Sequence, residues 1–153
     1  MSQAGEGIDL ETSLGYQLKE ASSALRAAME AALRPLGMTV THYSCLELLS
    51  QRPGLSNSEL ARGCFVTRQS MNVLLQALER EGYVTRPAHA PVGKALPTSL
   101  TDAGRRRLAR ATVAVRAIER QMLARLSDQD QVTTRRILSS IIESLNESGV
   151  APG

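Results

Sequence analysis

Apolar positions recur every three or four residues through most of this chain, the spacing that places them on one face of a helix. Between residues 56 and 86 the stretch SNSELARGCFVTRQSMNVLLQALEREGYVTR divides into two such helices. Ser56 followed by Glu59 forms a capping box that starts the first, and Gly63 reads as the left-handed residue that ends it. Thr67 can cap the second helix. There Met71, Leu74, Leu75 and Leu78 make a buried stripe, and Gly82 stops it. Two short helices joined by a tight turn predict a helix-turn-helix.

The same periodicity organises the rest. Residues 1–12 read as a flexible tail. From Ser13, Leu14, Leu18, Ala21, Leu25, Met29 and Leu33 repeat along a long helix that Pro35 and Gly37 close. Thr39 or Thr41 can cap the next, which runs through His42, Tyr43, Leu46 and Leu49 to the turn Arg52-Pro53-Gly54. Beyond the helix-turn-helix, Tyr83 to Arg86 is β-branched and aromatic, and Ala95 to Leu100 can return as its partner around the loop PAHAPVGK. Pro97 makes that return strand short or irregular. Thr101 and Asp102 open a helix whose stripe of Leu108, Ala111, Val115, Ile118 and Met122 persists to Leu126, roughly 37 Å at ~1.5 Å per residue. Ser127-Asp128 restarts a final helix with Val132, Leu138, Ile141, Ile142 and Leu145, ending before Gly149.

The resulting fold class is mostly α, with a two-stranded wing after the helix-turn-helix. It is read as a single domain over residues 13–153, in which 38–101 form the winged-helix lobe. The helices of 13–36 and 102–147 each carry an apolar stripe that the small lobe cannot cover. Packed across a two-fold axis they form a homodimer interface; packed within one subunit they form a bundle.

Composition narrows the chemistry. Hydrophobic residues make up 42% of the chain and aromatics only 3%, with no Trp and one Phe, so the core is aliphatic. No apolar run reaches the ~18 residues of a membrane span, and the acidic start MSQAGEGIDLE is unlike a signal peptide, which points to the cytoplasm. Net charge is only +3, but it is unevenly placed. Residues 1–59 hold four basic and seven acidic side chains, 60–110 hold nine and three, and 111–153 hold five of each. The local excess thus coincides with the helix-turn-helix, where attraction to phosphate is most useful.

On the second helix of that motif, Arg68, Gln69, Asn72 and Gln76 lie opposite the apolar stripe. Guanidinium and carboxamide groups match the major-groove edges of guanine and adenine. A helix that merely faces solvent shows the same polarity, and a winged-helix protein-interaction module is the alternative. The chain shows no phosphate-cradling glycine loop, no nucleophile elbow and no paired-cysteine metal motif, so no enzyme and no cofactor is expected. Cys45 and Cys64 have neither metal-ligand spacing nor disulfide density; thiol-based redox sensing is the minor reading.

The phrases GMTVTHYSCLELLSQRPGLSNSELA, VTRQSMNVLLQALEREGYVTR and SLTDAGRRRL, in this order and spacing, resemble the multiple antibiotic resistance regulator (MarR) family. The resemblance runs from about Leu14 to Leu145. It implies a homodimer of winged-helix subunits, joined through N- and C-terminal helices, that binds palindromic operators in double-stranded DNA and represses transcription. Many members release DNA when a small aromatic or phenolic acid, or an oxidant, acts on them. The implied DNA contacts are Thr67, Arg68, Gln69, Ser70, Asn72 and Gln76, with Arg86 and Lys94 from the wing. His89 is a further wing candidate. Family wings commonly carry an aspartate-x-arginine pair where this chain has Val92 and Lys94, so the orienting carboxylate is missing and lysine replaces the planar guanidinium fork. Effector pockets in the family lie between the dimer helices and the DNA-binding lobe, which nominates Tyr16, His42, Tyr43 and Arg52. Relatives that sense peroxide use a cysteine near the start of the first helix, and none stands there.

Overall fold

A computed structural model describes residues 7–87 and 97–148. Helix α1 (Leu14–Leu33) runs into a single 3-10 turn at Arg34–Leu36, followed by α2 (Val40–Gln51), α3 (Asn57–Gly63) and α4 (Arg68–Arg80). Strands β1 (Val84–Thr85) and β2 (Ser99–Leu100) precede α5 (Asp102–Leu123) and α6 (Asp128–Ser148). The chain forms two compact units, one running to Ile118 and the other starting at Glu119, with the boundary inside α5.

Every expected helix start carries its cap. Ser13 Oγ accepts the Tyr16 N–H at 3.1 Å, and Ser127 Oγ accepts the Asp130 N–H at 3.0 Å. Thr39, not Thr41, caps α2 in a full capping box with His42. Ser56 and Glu59 do the same for α3, and Thr67 Oγ1 accepts the Ser70 N–H at 3.0 Å at the start of α4. Each side-chain oxygen satisfies a donor that the first helical turn leaves orphaned.

One expectation is corrected. Gly63 is not the left-handed stop of α3: the helix is capped by Cys64 at φ −97, and the positive φ falls on Phe65 at +59. The glycine serves packing instead. A Cβ on Gly63 would lie 2.6 Å from Leu48 Cδ1, so its absence lets α3 approach α2. Gly37 and Gly82 do take the left-handed conformation at the ends of the 3-10 turn and α4, with φ of +69 and +82.

The strands are shorter than their composition suggests. Val84 pairs with Leu100 and Thr85 with Ser99 in an antiparallel ladder of two residues each. Thr98 bonds elsewhere: its N–H donates to the Leu55 carbonyl at 3.2 Å and its carbonyl accepts the Gly54 N–H at 3.1 Å. The return segment therefore leaves β1 to pair with the α2–α3 loop. Helix α5 also stops at Leu123, short of Leu126, whose N–H closes a turn on the Leu123 carbonyl.

In the first unit the core is aliphatic, as the composition requires. Leu33 from α1, Leu46 and Leu49 from α2, Leu60 from α3, and Met71, Leu75 and Leu78 from α4 are almost wholly excluded from solvent. Val84, Leu100, Leu108 and Ala111 extend this core across the strands to α5. Only the last turns of α1 take part, since residues 14–27 are all exposed. On α6, Val132, Ile137, Leu138, Ile142 and Leu145 are likewise exposed in the isolated subunit.

Candidate nucleic-acid interface

Helix α4 is held by its buried stripe. Met71, Leu75 and Leu78 point into the core and Leu74 packs at its edge, which fixes the rotation of the helix. The opposite face then presents Arg68, Gln69 and Gln76 to solvent, with Asn72 half-buried among them. Thr67 and Ser70 are exposed at the N-terminus, where the Thr67 hydroxyl also donates to Ser70 Oγ at 3.0 Å. No acidic side chain occurs between Glu59 and Glu79, so Arg68 at the start of this face has no acidic neighbour in sequence, and the one carboxylate of α4, Glu79, lies near its far end. The helix N-terminus adds its own partial positive charge.

Val73 is 62% exposed on the same helix, and sequence reasoning misses it because a valine beside an aliphatic stripe reads as core. Its position one residue after Asn72 and four after Gln69 is the available signal. An exposed methyl pair beside carboxamides suits contact with a thymine methyl.

At the foot of the wing, Arg86 forms an ion pair with Glu79 of α4 at 3.5 Å, its side chain only 15% accessible. The guanidinium thus ties the wing base to the recognition helix. His89, Val92 and Lys94 lie outside the described residues.

Of the four residues nominated for an effector, His42 and Arg52 open onto separate grooves among the described residues. His42 lines an open groove of about 430 Å³ between the start of α2 and the side of α4, with Thr39, Thr41, Val66, Ser70, Val73, Leu74 and Ala77. Arg52, at the other end of α2, lines a separate groove of about 340 Å³ with Leu48, Leu55, Glu59, Arg62 and Gly63. Tyr43 is half-buried, its hydroxyl 3.4 Å from the Glu47 carboxylate to which it donates. Tyr16 is exposed on α1 and lines neither groove.

A family model described as MarR family matches residues 36–95, the span from the start of the winged-helix lobe into the wing. The HTH-type transcriptional repressor Rv2887 of Mycobacterium tuberculosis is 44% identical over 135 residues, covering 88% of this chain and 97% of the relative. The chain belongs to the MarR family. The crystal structure of Rv2887 in complex with salicylic acid superposes with a TM-score of 0.70 at 45% identity, covering 85% of this chain and 96% of that one. Its complex with DNA gives a TM-score of 0.70 at 42% identity, covering 85% and 98%.

In this MarR-family chain burial works against thiol reactivity at both cysteines. Burial pushes the Cys45 thiol up to about 12, with the neighbouring Cys64 adding to the shift, and burial takes Cys64 to about 11. Both are thiols at neutral pH, and the thiolate is the reactive form.

His42 is the titratable group at the groove. Its Nδ1 accepts the Thr39 N–H at 3.3 Å, a bond that only the unprotonated nitrogen can make. Burial lowers its pKa below the usual 6.5; Glu81 opposes that shift and Arg107 reinforces it. The unfolded chain therefore binds the proton more readily than the fold does. Stability should be full above pH 6.5 and fall as pH drops from there through the lowered folded pKa. Urea midpoints at pH 7.5 and 5.5 check this. His42→Gln, which keeps a capping side chain without titrating, should remove that component of the pH dependence; an unchanged dependence would show that another group causes it.

Proposed function

We propose that the chain is a dimeric transcriptional repressor that binds a palindromic operator and is released by a small aromatic carboxylate. The observation that carries this reading is α4: a helix locked by its apolar stripe, with Arg68, Gln69, Asn72 and Gln76 on the outward face and no acidic residue in 60–78. Gln69 and Asn72 would read base edges, Thr67, Ser70 and Gln76 would contact bases or adjoining phosphates, and Arg68 would anchor on phosphate. Lys94 would supply a second anchor from the wing. Rv2887 has been solved with DNA, and that precedent supports DNA binding here.

Dimerisation would use the exposed apolar faces of α1 and α6, whose Leu14, Leu18, Ile142 and Leu145 stay exposed in one subunit. A two-fold dimer places its two α4 helices on half-sites about one helical turn apart, ~34 Å centre to centre. A regulator of this kind acts where the chromosome lies, which in a bacterium is the cytoplasm. No described helix is long and apolar enough to cross a membrane.

The groove at His42 offers a route for release. It is walled by α2 on one side and by Ser70, Val73 and Ala77 of α4 on the other. A ligand seated there touches the reading helix directly, so it can favour a placement of α4 that no longer fits the major groove. Rv2887 has been solved with salicylic acid and with p-aminosalicylic acid, which makes a hydroxylated benzoate the class to test first. Thr39, Thr41 and His42 would bond its polar groups, with Val66, Val73 and Leu74 against the ring. Tyr16, Tyr43 and Arg52 do not line this groove, and the partner subunit or a conformational change would bring them to it.

The test is to sequence the genomic fragments that the purified protein retains, then to titrate salicylate into the resulting complex. A shared inverted repeat, released by salicylate, is the expected result. Retention of random fragments would contradict the operator reading, and salicylate without effect at saturating concentration would contradict the ligand class.

A further inference from the structure

Phe65 is the single phenylalanine of the chain, and it is 93% exposed. It occupies the turn between α3 and α4 at φ +59, the one non-glycine residue with positive φ among the described residues. Both facts count against its being there for the fold. A bulky side chain is disfavoured in the left-handed region, where glycine or asparagine is at ease, and an exposed ring gains nothing from burial.

The turn holds the Phe65 backbone in a defined place. The Phe65 N–H donates to the Arg62 carbonyl at 3.3 Å, and the next N–H, of Val66, donates to the Ala61 carbonyl at 3.0 Å. Phe65 therefore stands two residues before the Thr67 cap, at the end of α4 that enters the major groove when a helix-turn-helix docks. The exposed cations Arg62 and Arg68 flank it in sequence, and no acidic residue lies in 60–78. An apolar ring with a cationic rim suits a DNA duplex better than a neutral apolar protein surface. The apolar group that the major groove displays is the 5-methyl of thymine.

We propose that Phe65 is a base-contact residue, packing against a thymine methyl at the edge of the half-site that α4 reads. The inference rests on the DNA-binding function proposed above and adds to it a specificity element that is not a hydrogen bond.

The experiment uses the recovered operator with each thymine in turn replaced by deoxyuridine, which removes only the methyl. Wild-type protein should lose about fivefold in affinity per half-site at one thymine position. Phe65→Gly and Phe65→Asn both accommodate φ +59, so their melting temperatures should match or exceed that of the wild type. Both should bind the thymine operator about as weakly as the wild type binds the deoxyuridine one, and should be indifferent to deoxyuridine at that position alone. Because this comparison is internal to each variant, it holds even if a variant is less stable. Variants that keep the wild-type affinity, or that lose affinity equally on every duplex while keeping the deoxyuridine sensitivity, would overturn the contact and leave DNA binding intact. Wild-type protein that selects no sequence would overturn both.

Discussion

Replacing Ile141 and Leu145 with aspartate will leave a monomer that binds operator at least ~100-fold more weakly than the wild type. On α6 the apolar positions 137, 138, 141, 142 and 145 follow the three-and-four spacing of a packing face. Yet Ile142 is 57% and Leu145 66% exposed in the single subunit, which is why the proposed dimer places its partner against this face. Burying one such side chain contributes about 1.5–3 kcal/mol. A two-fold interface contains each position twice, so the double substitution places four carboxylates in an apolar layer. Once the subunits part, the second half-site is no longer presented at high effective concentration, and the operator is held by one winged helix only. Light scattering gives the mass and a fluorescence titration the affinity. A folded monomer with undiminished operator affinity would show that the dimer is not required for binding.

Gly104→Ala should be the most damaging single methyl added within the first unit. A Cβ at Gly104 would run into the backbone carbonyl of Tyr83 and lie 3.3 Å from Leu100 Cδ2. That carbonyl already accepts the Thr101 N–H at 3.1 Å, while the Thr101 hydroxyl donates to the Gly82 carbonyl and accepts the Gly104 N–H. The guanidinium of Arg107 lies 4.9 Å above the Tyr83 ring. The first turn of α5 is thus seated on the corner where α4 ends and the wing begins, and the nearest obstacle to a methyl there is backbone, which cannot rotate away. The expected cost is roughly 2–4 kcal/mol, or about 10 °C in melting temperature. Operator affinity should fall with it, because the displaced backbone is the root of the wing. At Gly63 the clash is with the tip of Leu48, which can rotate away, so Gly63→Ala should cost only about 1 kcal/mol. Equal effects at the two glycines would refute this reading of the α5 junction.

The helices are legible in the sequence because each carries its own local signal: Ser56, Thr67 and Thr101 cap where the sequence places caps, Thr39 takes the cap that Thr41 could also have supplied, and Ser13 and Ser127 stand at the starts that their segments mark. Spacing also identifies the buried side of α4, and through it the outward polar face. What escapes are features decided by neighbours distant in sequence. Gly63 looks like a helix stop, but its role depends on Leu48, fifteen positions away. Thr98 looks like part of a longer strand, but its backbone partners are Gly54 and Leu55. The polar residues His42 and Arg52 sit at opposite ends of helix α2, and nothing in their sequence shows that they open onto different grooves. Phe65 and Val73 escape for the opposite reason, since apolar residues near a buried stripe are ordinarily core.

In the proposed division of labour α4 reads sequence while the wing anchors. Operator affinity measured against salt for Gln69→Ala, Asn72→Ala and Lys94→Ala tests it most directly. The two carboxamide variants should each weaken binding by about 1–3 kcal/mol per bidentate pair, relax preference at particular operator positions and leave the salt slope unchanged. Lys94→Ala should weaken all duplexes alike and reduce the slope by about 1 for each phosphate that is no longer neutralised, with sequence preference intact. If Lys94→Ala abolishes sequence discrimination while Gln69→Ala and Asn72→Ala retain it, recognition resides in the wing and not in α4.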